Sequence, residues 1–288
     1  MNNDAPVTHF NLPADPRFAC ALAAPQLPAG GPPPGLLVTV HDSTRNHTDC
    51  ARRFAPFGQA HRLVVLAPLF PRDVFGDGQA DGYKFLREHD LRYDQLLHAM
   101  IDEAVRRTGC DGTRFFLQGY SGGGQFVHRY LLLHPERLHA VSVGAPGVVT
   151  VPDETLDWWA GVRDTESLFG RPFNPAMLCN VPIQLVVGDA DTETWEIRVQ
   201  PPSRHWPVDA DRLHSNRIDR LRVLHRALLG LGAHAQLVMM RGLRHGQGPG
   251  PAAALAQRFF AAHLVVANVT PAAKPAECAL PYQPTDLA

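Results

Sequence analysis

The sequence predicts an α/β protein, a mostly parallel central sheet with helices on both faces and small lid-like excursions. Three observations predict it. From Leu36 onward, short apolar runs alternate with segments of helical spacing, the pattern of strands joined by crossover helices. Several of the runs stop at Gly, Pro or Asp, the residues of tight turns. The chain, 288 residues with 45% hydrophobic content, is also long enough to bury one large core.

Leu36–Val40 (LLVTV) reads as a buried strand, and Arg62–Ala67 (RLVVLA) as a second one stopped by Pro68. A Gly- and Asp-rich loop follows, from Pro71 to Gly82. The next helix runs from about Asp90 to Thr108, with Leu96, Leu97, Met100, Ile101, Ala104 and Val105 on one face. Gly109 ends it as a C′ glycine. Arg114–Gln118 (RFFLQ) is a third strand, followed by a helix over Gly123 to Leu133 that Pro135 closes. Leu138–Val143, Ile183–Val187 and Ala235–Met240 complete the strands. Helices are expected over about His214–Leu229 and Pro251–Leu264. The Pro- and Ala-rich residues 1–35 read as an extended arm or irregular strands ahead of a main domain spanning 36–266. Residues 150–180 and 192–211 read as excursions over the sheet, and 267–288 as a loose tail.

Composition narrows the function classes. Charged residues make up 19% of the chain and the formal net charge is −1, which leaves no basic footprint for a nucleic acid or a membrane surface. Met1 to Phe10 lacks the apolar stretch of a signal peptide, and no apolar run reaches membrane-spanning length, so a cytoplasmic location is expected. Cys20, Cys50, Cys110, Cys179 and Cys278 are scattered and odd in number, and read as reduced. Fifteen histidines raise the question of a metal. HExxH is missing, and His41 with His47, near Asp42 and Asp49, make only a loose set, so no metal or other cofactor is expected.

The chemistry concentrates at Gly119-Tyr120-Ser121-Gly122-Gly123, placed between a strand and a helix. A turn this tight pushes its serine into a strained backbone conformation at the carboxyl end of the sheet. The helix N-terminus then favours negative charge developing beside Ser121. A serine hydroxyl needs a general base, and His245 follows the last strand in a Gly-flanked loop. The base needs an acid to orient it, and Asp191 follows the fifth strand. Asp189 is the rival acid, better suited to bracing its own turn. An oxyanion hole needs two N–H groups. One is expected from Gly122, the other from the loop His41 to Asn46, with Ser43 first and Thr44 second. Candidate substrate-binding residues are Tyr120, Thr44 and Trp195. Tyr83, Phe85, Trp158 and Trp159 suit core packing better, and Arg45 suits a solvated surface better than a substrate carboxylate.

At this point the chain resembles the α/β-hydrolase superfamily over roughly residues 36–264. GYSGG at 119–123, GDAD at 188–191 and RHG at 244–246 carry the resemblance. HDST at 41–44 looks like that superfamily's His-Gly oxyanion loop, with Asp42 where glycine is usual. The nearest groups are dienelactone-hydrolase-like, polyhydroxyalkanoate-depolymerase-like and peptidase-like esterases. The expectation is a serine hydrolase acting on a small-molecule or oligomeric ester, with an amide less favoured and a homodimer left open. An acyltransferase using the same residues and a binding protein without turnover are the alternatives.

Overall fold

The computed structural model describes residues 6–197 and 216–267. The chain starts with two antiparallel strands, β1 (Val7–Leu12) and β2 (Asp15–Ala23). They belong to the main sheet, because β2 also pairs with a later strand, so the sheet begins well ahead of Leu36. Of the two readings of residues 1–35, an extended arm or irregular strands ahead of the main sheet, strands form, and they are regular strands within that sheet. Small residues mask β2 in the sequence: its buried positions are Phe18, Cys20, Ala21, Leu22 and Ala23, of which only Phe18 and Leu22 are large.

Strand β3 (Gly35–Val40) leads into helix α1 (His47–His61). Pro56 sits inside this helix on its exposed face, where water can satisfy the carbonyl that loses its partner. Strand β4 (Leu63–Leu69) runs through Pro68 instead of stopping there. After a small antiparallel ladder of β5 (Arg87–Glu88) and β6 (Leu91–Arg92), helix α2 spans Tyr93–Thr108. Gly109 ends it in the left-handed region, its N–H donating to Val105 O at 2.8 Å.

Strand β7 (Phe115–Tyr120), helix α3 (Gly122–Leu133) and strand β8 (Leu138–Gly144) follow directly. The stretch expected as an excursion at 150–180 holds two short helices, α4 (Thr165–Phe169) and α5 (Pro175–Leu178). Its Trp158 and Trp159 pack with Phe85 and Val148 as a small satellite core. Strand β9 (Ile183–Gly188), helix α6 (Arg217–Gly230), strand β10 (Ala235–Met240) and helix α7 (Pro249–Ala267) complete the described elements. Residues 198–211 of the second expected excursion, with Trp206, lie outside the described residues, as does the tail from residue 268.

The eight-stranded sheet has the order β1-β2-β4-β3-β7-β8-β9-β10. From β4 to β10 every neighbouring pair is parallel, and β1 and β2 are the antiparallel edge. Alternate strand residues serve opposite faces. Leu36, Val38 and Val40 join the core with α2, α3 and α6, whereas Leu37, Val65, Phe116 and Ala140 pack under α1 and α7. Parallel pairing brings the carboxyl ends of β7, β9 and β10 to one rim of the sheet, the usual place for a ligand in an open α/β sheet.

Cys20, Cys50 and Cys110 are free and buried, and burial pushes the Cys50 thiol up to about 12. Cys179 is held in a disulfide, which corrects the reading of all five cysteines as reduced. Among the described residues, no helix is long and apolar enough to cross a membrane.

Candidate active site

Ser121 stands between β7 and α3 with φ 55° and ψ −114°, a left-handed conformation that a non-glycine residue adopts only under constraint. The constraint comes from close packing. A side chain at Gly119 would overlap the backbone of Gly123, and one at Gly123 would overlap Val40 O on β3. Strand and helix therefore meet at van der Waals distance, and the serine is forced outward at the sheet's rim.

His245, in the turn after β10, reaches that serine. Its Nε2 lies 2.9 Å from Ser121 Oγ, and its Nδ1 lies 2.8 Å from Asp191 Oδ2. The carboxylate can only accept, so the ring proton sits on Nδ1 and Nε2 is left to accept from the serine hydroxyl. Asp191 is fully buried, and its other oxygen accepts from Arg217 Nη1 at 3.0 Å. Asp189 Oδ1 accepts instead from the Gly242 N–H, tying the β9 turn to the β10 turn. Tyr120 supports the histidine from below: its ring stacks on the imidazole at 5.2 Å and its hydroxyl donates to His245 O at 2.9 Å.

The loop after β3 faces the serine. Asp42 Oδ1 accepts from the Thr44 N–H at 2.7 Å and from Thr44 Oγ1 at 2.5 Å, and Oδ2 accepts from Asn46 Nδ2 at 3.2 Å. This Asx turn occupies the Thr44 N–H and so favours Ser43 as the loop's free donor. Gly122, the first residue of α3, has no carbonyl one turn back for its own N–H. His41 braces the loop from within. Phe70 N–H donates to its Nε2 at 3.0 Å, which leaves the proton on Nδ1 for Asp42 O at 2.7 Å. Burial holds this imidazole neutral, its pKa down at about 3. His47, the other loose metal candidate, is near Arg45 O. Among the described residues, no group of three His, Cys, Asp or Glu side chains could hold a metal.

These elements enclose a cavity of about 470 Å³ at the rim, lined by Asp42, Ser43, Thr44, Lys84, Gln125 and Arg217 together with Ser121 and His245. Tyr120 also reaches its wall. Trp195 does not: it is 72% exposed and outside the lining, so the structure does not bring it to the serine.

Solved structures share this architecture. Poly(aspartic acid) hydrolase-1 from Sphingomonas sp. KT-1 superposes with a TM-score of 0.70 at 20% identity, over 90% of this chain and 98% of the other. The chain has the α/β-hydrolase fold. LpqC, a poly(3-hydroxybutyrate) depolymerase from Bordetella parapertussis, superposes with a TM-score of 0.67 at 24% identity, over 91% and 94% of the two chains. An S-formylglutathione hydrolase from Agrobacterium tumefaciens gives 0.56 at 16% identity, over 86% and 89%. No family model matches the sequence, and no curated protein matches it either.

Asp42 supplies by side chain the loop hydrogen bonds described above. Gln125, Lys84 and Arg217 are cavity residues that sequence reasoning missed. Gln125 is one helical turn beyond Ser121, a spacing that was available in the sequence. Lys84 and Arg217 arrive from remote loop and helix positions, and no local pattern marks them.

Proposed function

We propose that the protein is a serine hydrolase that cleaves carboxylic esters, and amides less readily, through an acyl-enzyme. The hydrogen-bonded chain from Asp191 through His245 to the strained Ser121 is the observation that carries this reading. Ser121 Oγ attacks the ester carbonyl, forming a C–O bond while the carbonyl electron pair moves onto oxygen. His245 Nε2 takes the serine proton and then delivers it to the departing alkoxide as the old C–O bond breaks. Water repeats the sequence on the acyl-enzyme and releases the acid. Asp191 stabilises the imidazolium formed at each stage. The N–H groups of Gly122 and Ser43 receive the oxyanion.

One structurally similar protein is named for a polyester, poly(3-hydroxybutyrate), which supports an oligomeric ester as well as a small one; another is named for poly(aspartic acid), a polyamide, which keeps the amide in the test below. The cavity's mixed lining of Tyr120, Ile197 and Pro249 with Lys84 and Gln125 suits a substrate bearing polar groups along an apolar frame. The test is a fluorophosphonate probe together with p-nitrophenyl esters of graded chain length and one aryl amide. Labelling and ester turnover in the wild type, both lost in Ser121→Ala, are expected. An unlabelled wild type without turnover removes the proposal, and product transfer to an added alcohol in preference to water replaces it with an acyltransferase.

A further inference from the structure

Tyr83 is 1% exposed, and its hydroxyl has no hydrogen-bond partner. A buried hydroxyl left unpaired destabilises the fold, so its retention calls for a reason. The ring is firmly held. It packs on His41 at 5.0 Å and on Phe70 at 5.7 Å, with the Arg45 guanidinium 5.0 Å above its centre. Those contacts aim the hydroxyl at Gly122: a side chain on Gly122 would overlap it. Ser43 Oγ and Lys84 Cε, both from residues that line the cavity, lie 3.1 Å from the same point. Gly122 has ordinary helical geometry without a positive φ, so its backbone does not demand glycine. What it lacks is room, and Tyr83 occupies the room.

The phenol hydroxyl therefore lies beside Gly122, the residue after the serine, and close to the Ser43 side chain. Burial also pushes its pKa up, which keeps the proton in place for donation throughout the working range of a histidine base.

We propose that the Tyr83 hydroxyl is a third hydrogen-bond donor to the oxyanion, beside the N–H groups of Gly122 and Ser43. The proposal rests on the serine-hydrolase reading above. In the resting site the hydroxyl is unpaired; when Ser121 attacks, the carbonyl oxygen acquires charge at the one place where this donor gains its partner. An interaction made only in the transition state raises kcat without tightening substrate binding.

Tyr83→Phe removes the hydroxyl and keeps the ring. The expected result is a fall in kcat of about 10²- to 10³-fold with KM unchanged, the usual effect of losing one oxyanion donor. Affinity for a trifluoromethyl ketone, whose hemiketal oxygen occupies the oxyanion position, should fall by a similar factor. The melting temperature should hold or rise, since an unpaired buried group has been deleted. A structural tyrosine hydroxyl would give the reverse pattern, lower melting temperature with kcat retained, and that result overturns the proposal. Wild-type kcat and ketone affinity in Tyr83→Phe, alongside an inert Ser121→Ala, overturn it while leaving the hydrolase reading intact. A wild type that neither turns over esters nor reacts with fluorophosphonate fails at the earlier step.

Discussion

Arg217 donates to the oxygen of Asp191 that His245 does not use, at 3.0 Å, so the buried carboxylate is held from both sides. Both partners are almost wholly removed from water, at 2% and 0% side-chain exposure. Removing one member of a buried ion pair leaves an uncompensated charge, typically worth 3–5 kcal/mol of destabilisation, so about that loss is expected for Arg217→Ala. Ester turnover at a temperature where the variant remains folded should fall as well, because Asp191 is freed to rotate away from the imidazole. Urea unfolding with parallel kinetics reads both, and an unchanged midpoint would contradict the ion pair's role.

Ser121 carries φ 55°, and strain of this kind costs on the order of 1–3 kcal/mol. Glycine adopts that conformation freely. Ser121→Gly is therefore expected to abolish turnover and to raise stability by about 1 kcal/mol. A variant that is inactive and less stable than the wild type would show that the elbow is relaxed.

Asp42 should tolerate the change that keeps its Asx turn. In Asp42→Asn the side-chain oxygen still accepts from the Thr44 N–H, and kcat is expected to stay within about threefold. Asp42→Ala frees the Thr44 N–H and loosens the loop that presents Ser43, and a loss of roughly tenfold or more in kcat is expected. Equal kinetics for the two variants would remove the loop from the mechanism.

Acid should unfold this protein through its buried histidines. His41 and His128 are both held neutral by burial, with His41 down at about 3. In the unfolded chain the same groups titrate at roughly 6.5. Below that pH the unfolded state takes up protons that the fold refuses, so stability falls as pH drops from about 6.5 towards 3. Each such histidine contributes up to about 1.4 kcal/mol per pH unit in that window. Urea midpoints at pH 7, 6 and 5 should decline in step, and a flat series would contradict the buried neutral state.

Sequence alone carried the α/β alternation, the strand–Ser121–helix turn and the positions of Asp191 and His245 after later strands. These are local properties: apolar period, glycine spacing and turn chemistry are written in contiguous residues. The hairpin of β1 and β2 was not legible, because small buried residues such as Ala21 and Cys20 give a weak strand signal and only pairing with β4 reveals the element. Only the tertiary structure could show that Asp42 engages the Thr44 N–H, that Arg217 clasps Asp191, or that Trp195 faces solvent. Those facts depend on distances between residues far apart in the chain or on side-chain direction, which no periodicity encodes. The same holds for Tyr83: the sequence marks an aromatic, and only packing against His41, Phe70 and Gly122 puts its unpaired hydroxyl beside the serine's helix.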